Sequence, residues 1–152
     1  MANVETTIAR HVLRTTYGDL PAPVVATTKE RIIDTIGVIV AGSAACGSTL
    51  IAEELASLGG KPEATVLVTG QKLPSAHAAQ IHGSWSNAHA FDDNDDRNAF
   101  KGCVTVVPVA LALAESQAKT GKVLILAVAL GLDLGCRIGL ALRPKPAIPA
   151  RH

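Results

Sequence analysis

Two uncharged apolar runs, residues 104–114 and 123–132, flank Gly121 and constrain this chain more than any other feature. Both exceed the usual strand length of about five or six residues, so they predict helices over 105–119 and 122–142, packed antiparallel because the turn between them is short. In the second helix Ala127, Gly131, Gly135 and Gly139 recur every fourth residue. Each Gly costs a helix about 1 kcal/mol relative to Ala, so the stripe predicts a bare face that another backbone approaches closely. Asp133 and Arg137 stand four apart on a different face and can pair. Neither run reaches the roughly 20 residues that span a bilayer, and the second meets Asp133, so no membrane partner is expected.

The 152 residues suffice for one domain with one core. Hydrophobic residues make up 48%, yet the aromatics are one Trp, one Tyr and two Phe, so Ala, Val, Leu and Ile must fill that core. Charged residues are 18%, below the usual value of about 25%, which leaves apolar surface for a partner. Fourteen basic and thirteen acidic side chains give a formal charge of +1 without a basic run, which argues against nucleic acid. The three cysteines, Cys46, Cys103 and Cys136, form no C-x-x-C pair, and no signal-like segment follows Met1. Reduced thiols in a cytoplasmic protein are expected.

Upstream, Ile8, Val12 and Leu13 recur at helical spacing over residues 4–16, ending at Gly18 and Pro21. A second helix begins near Pro23, carries Lys29, Glu30, Arg31 and Asp34, and becomes apolar all round, which predicts a buried second half. Ser48 is placed as the cap of a third helix that Gly59-Gly60 stops. Residues 64–68 form the one β-type run, needing a partner elsewhere. Residues 75–90, rich in Ala, Ser and His, predict a further helix with His82 and His89 on one side. Pro144, Pro146 and Pro149 make 143–152 a linker-like tail after a domain over 1–142. The predicted class is all-α with one short extended segment.

Several motifs fail on chemistry. Asp92-Asp93-Asn94-Asp95-Asp96 suggests a calcium loop, but Arg97 stands at the turn glycine and Cys103 at the closing Glu. Ser116-Gln117-Ala118-Lys119 and Lys119-Thr120-Gly121 match S-x-x-K and K-T-G while sharing a lysine, which separate catalytic elements cannot do. Gly121-Lys122 lacks the rest of a phosphate loop. His77, His82 and His89 lack a complete zinc set, so no metal is expected. His89 lies three residues before Asp92, so an imidazole and carboxylates can meet at one helix end. Proton abstraction beside a carboxylate needs such a base and acid.

Taken in order, the motifs resemble the MmgE/PrpD family. The likeness runs through Leu20-Pro21-Ala22, Asp34-Thr35-Ile36-Gly37, Ala41-Gly42-Ser43, Gly59-Gly60, Glu63-Ala64-Thr65-Val66-Leu67 and Leu73-Pro74. It continues through Ala88-His89-Ala90, Val106-Val107-Pro108 and Ala110-Leu111-Ala112-Leu113-Ala114-Glu115. The resemblance implies a metal-independent, cofactor-free lyase such as 2-methylcitrate dehydratase or cis-aconitate decarboxylase, longer than this chain. It would have a helical domain, a lid domain and an active site between them. This chain corresponds to the N-terminal part of the helical domain, truncated or degenerate, completed by a missing C-terminal half or assembled as a homo-oligomer. The family's stretch His-Ala-x-Asp-aromatic-Asp-Asp sets His89 on its His and Asp92 on the catalytic Asp in an ungapped register. A register with two residues deleted sets Phe91-Asp92-Asp93 on aromatic-Asp-Asp and leaves the catalytic Asp unmatched. Lys101 stands where the family has a His, and His152 lies near the place of the last family His. Asp93 and Asp96 are the implied contacts to a polycarboxylate substrate. The competing reading is a non-catalytic helical interaction module.

Overall fold

The computed structural model describes residues 3–95 and 100–142. It contains six α-helices: α1 (Val4–Arg14), α2 (Ala22–Gly42), α3 (Ser48–Ser57), α4 (Ser75–Asn87), α5 (Gly102–Ser116) and α6 (Gly121–Leu142). A single 3-10 turn, Tyr17–Asp19, follows α1, and β1 (Ala64–Thr65) and β2 (Lys72–Leu73) lie between α3 and α4. The all-α expectation holds.

The extended run is shorter than its sequence suggests, and its partner is close at hand. β1 pairs antiparallel with β2, Ala64 opposite Leu73 and Thr65 opposite Lys72. Val68 and Gly70 both take positive φ, turning the chain back before a longer strand can form. Thr65 ties this hairpin to α5: its N–H and hydroxyl donate to Glu115 at 2.7 and 2.6 Å, and Lys72 Nζ stands 3.3 Å from the same carboxylate.

The core has two clusters. One gathers Ile39, Leu55, Ala64, Val66, Leu73, Ala78, Ile81, Trp85 and Ala112; the other gathers Ile32, Cys103, Val107 and Val128. α2 crosses α4 so closely that a methyl group at Gly42 would overlap the Trp85 carbonyl. Trp85 Nε1 donates to the Ser48 carbonyl at 2.9 Å, and the Ser48 hydroxyl donates to the Gly42 carbonyl at 2.6 Å. Ser48 is therefore the first residue of α3 and a brace to α2, while Gly47 at φ 81° caps the helix in the place expected for Ser48.

Two further expectations change. The second half of α2 buries Thr35, Ile39 and Gly42 but leaves Ile33 and Val40 exposed, so it is covered on one side only. The glycine stripe of α6 receives side chains instead of a backbone: a methyl at Gly131 would stand 2.6 Å from Val106 Cγ1, and one at Gly135 would overlap the Phe100 ring. Arg137 Nε does donate to Asp133 Oδ1 at 2.8 Å. Because α6 continues past Asp133 to Leu142, it has the length and composition of a membrane-crossing helix, a property it shares with core helices of soluble proteins. α5, α2 and the 3-10 turn pack against it, His11 Nε2 of α1 lies 3.4 Å from Asp133 Oδ2, and Val128 is its buried residue.

Candidate functional site

Helix α4 stops at Asn87, two residues before His89, and Ala90 at φ 54° turns the chain away. His82 and His89 consequently do not share a helix face. His82 is buried, while His89 is exposed, its ring 5.6 Å from that of Phe91. The His82 Nε2 accepts the Leu67 N–H at 2.9 Å, and burial pushes its pKa below the ordinary histidine value. Its Nδ1 then carries the hydrogen of a neutral ring.

Beyond the turn, Asp92 and Asp93 point to different tasks. Asp93 Oδ1 accepts the Cys103 N–H at 3.2 Å at the start of α5, its Oδ2 lies 3.2 Å from Cys103 Sγ, and Arg31 of α2 pairs with the same oxygen. A carboxylate in the first turn offsets the exposed N–H groups of a helix. This explains why α5 begins at Gly102 and not at Thr105. Burial first, and then the neighbouring Asp93 carboxylate, push the Cys103 thiol up to about 11, so it stays protonated. The Asp93 carboxylate is thus engaged in holding the loop between α2 and α5.

The Asp92 side chain is 1% exposed, and neither of its oxygens has a hydrogen-bond partner among the described residues. Lys101 Nζ lies 2.9 Å from Oδ2 and acts as its counter-charge. The same ammonium donates to Asn87 Oδ1 at 3.0 Å. Asn87 in turn lines a cleft of about 640 Å³ between the α2–α3 turn and the end of α4, together with Cys46, Ser48, Ile51, Ser84 and His89. His89 and Asp92 are therefore brought to one end of α4, with Lys101 between Asp92 and the cleft wall.

Asp96 and His152 lie outside the described residues. Among the described residues no group of three His, Cys, Asp or Glu side chains is placed to hold a metal ion. Sequence reasoning missed Asn87 and Arg31 as neighbours of the acidic loop. Arg31 is 62 residues from Asp93, and only the α2–α5 packing brings them together.

The described residues form a six-helix domain with a histidine and a buried carboxylate beyond the end of α4. The model of the MmgE/PrpD N-terminal domain matches residues 6–148, and the chain belongs to that family. No curated protein and no solved structure matches the chain significantly.

Proposed function

We propose that this chain supplies one wall of a lyase site for a small polycarboxylate, where a proton is removed next to a carboxylate and water or carbon dioxide then leaves. The observation that carries the reading is the buried Asp92 carboxylate beside Lys101 at the edge of the cleft that His89 lines. Asp92 is the base, its side chain 1% exposed and so shielded from water. Lys101 offers positive charge for the substrate carboxylate or the enediolate-like charge that develops on proton loss. His89 is the proton carrier for the leaving group. Homo-oligomerisation through apolar surface, or a further chain segment, completes the cleft; the cytoplasm, where such acids are metabolites, is the proposed location.

Isothermal titration with tricarballylate, a saturated tricarboxylate with no hydroxyl or double bond to eliminate, tests this reading. Saturable binding that weakens in His89→Ala supports it, and absence of binding both to the wild-type chain and to Asp92→Asn overturns it. Turnover is a separate matter, since Asp92 and His89 fill two roles at most and water enters an open cleft. The 152-residue chain is expected to give no turnover of 2-methylcitrate or cis-aconitate above a buffer blank. The second reading, a helical interaction module without chemistry, is favoured by the way Lys101 neutralises Asp92 at rest. Turnover that disappears in Asp92→Asn would overturn that second reading.

A further inference from the structure

A buried carboxylate without hydrogen bonds is costly unless a charge compensates it, and here that charge comes from a half-exposed lysine. Among the described residues the other side of the same ammonium is held by the neutral Asn87 amide, which lines the cleft. An anion entering the cleft beside Asn87 meets an ammonium already shared with an internal carboxylate. The two anions compete for one cation. Arg31 is not available as a substitute, because it pairs with Asp93.

We propose that Lys101 is a carboxylate-operated latch: at rest its ammonium covers Asp92, and a carboxylate-bearing ligand in the cleft draws it away and uncovers Asp92. The inference rests on the polycarboxylate reading above and adds a consequence that the reading does not require. If Asp92 is an internal competitor, removing its charge must tighten ligand binding. A residue that merely shapes the cleft, or a base that holds the ligand, gives the opposite sign.

The experiment is titration of the full chain and its variants with tricarballylate at constant ionic strength. Asp92→Asn is expected to bind about tenfold more tightly, because the fraction of chains with a free ammonium rises. Lys101→Met alone leaves an uncompensated buried charge that threatens folding. The double variant Asp92→Asn/Lys101→Met removes both charges and is expected to retain a melting transition and to lose binding by at least about tenfold relative to Asp92→Asn. A carbon-13 carboxyl resonance assigned to Asp92 should also shift as the wild-type chain is saturated. Binding to wild type with equal or weaker affinity in Asp92→Asn overturns the latch while leaving the polycarboxylate reading standing. Equal affinity in the single and double variants overturns it as well. Binding only to Asp92→Asn supports a latch held shut in the free chain. No binding to any form overturns both the latch and the reading on which it rests.

Discussion

Helix α4 carries histidine, glutamine and serine, and it still buries Ala78, Ile81, His82, Trp85 and Ser86. Helix α6 is far more apolar, yet among the described residues it buries Val128 alone and leaves Val123, Ile138, Leu140 and Leu142 exposed. Hydrophobic content thus does not decide which helix becomes core. α4 is central because the small residues of its neighbours admit it: bare Gly42 accepts the Trp85 backbone, and the Ser48 carbonyl accepts its indole N–H. α6 packs its glycine face on α5, where Val106 and Phe100 fill the space left by Gly131 and Gly135, while Lys122 and Asp133 reach Tyr17 and His11 without burying further α6 side chains.

Helix α4 is most vulnerable at Trp85. Trp85→Ala is expected to cost about 3–5 kcal/mol, a large share of the roughly 5–15 kcal/mol of a typical domain, read as a lowered urea midpoint. An unchanged midpoint would show that α4 is not the centre of the fold.

On the α6 side the expected effect falls on assembly. Its exposed face and that of α1, with Val4 and Leu13, form surface suited to a partner, so light scattering should report dimers or larger species. Ile138→Ser/Leu142→Ser should yield smaller species, with each substitution changing the stability of the chain by about 0.5 kcal/mol or less. A wild-type monomer that binds no hydrophobic dye would contradict the unpartnered face.

The smallest effect is titration of the buried His82. Burial lowers its folded-state pKa, so below the unfolded histidine value of about 6.5 the unfolded chain binds more protons. Stability contributed by the neutral ring is fully present above that pH and is lost as pH falls towards the folded pKa. The melting temperature should fall between neutrality and mild acid, and His82→Gln should flatten that part of the profile. An identical profile in the variant would mean that His82 does not titrate with unfolding.

The helices were legible from periodicity, but the turn between α5 and α6 lies at residues 117–120, where Ala118 takes positive φ, and Gly121, expected as the joint, is the first residue of α6. Local chemistry hid the rest. The hairpin depends on positive φ at Val68, which no β-branched residue advertises. The early start of α5 depends on Asp93, and the different fates of Asp92 and Asp93 depend on Lys101 and Arg31, contacts made by tertiary packing. An acidic run read by charge alone treats both carboxylates alike, although one is tied to a helix start and the other is sealed beneath a lysine.

The indole of Trp85 also makes the two sides of the molecule optically separable. It is the only tryptophan in the chain and is 2% exposed, so its emission should be blue-shifted while the α2–α4 crossing is intact. Tyr17, the only tyrosine, lies in the turn after α1, with Lys122 Nζ of α6 5.5 Å above its ring. Loosening of the α6 side would therefore change the tyrosine signal first and leave the tryptophan maximum in place. Each chromophore records the opening of its own side of the fold, with no label added.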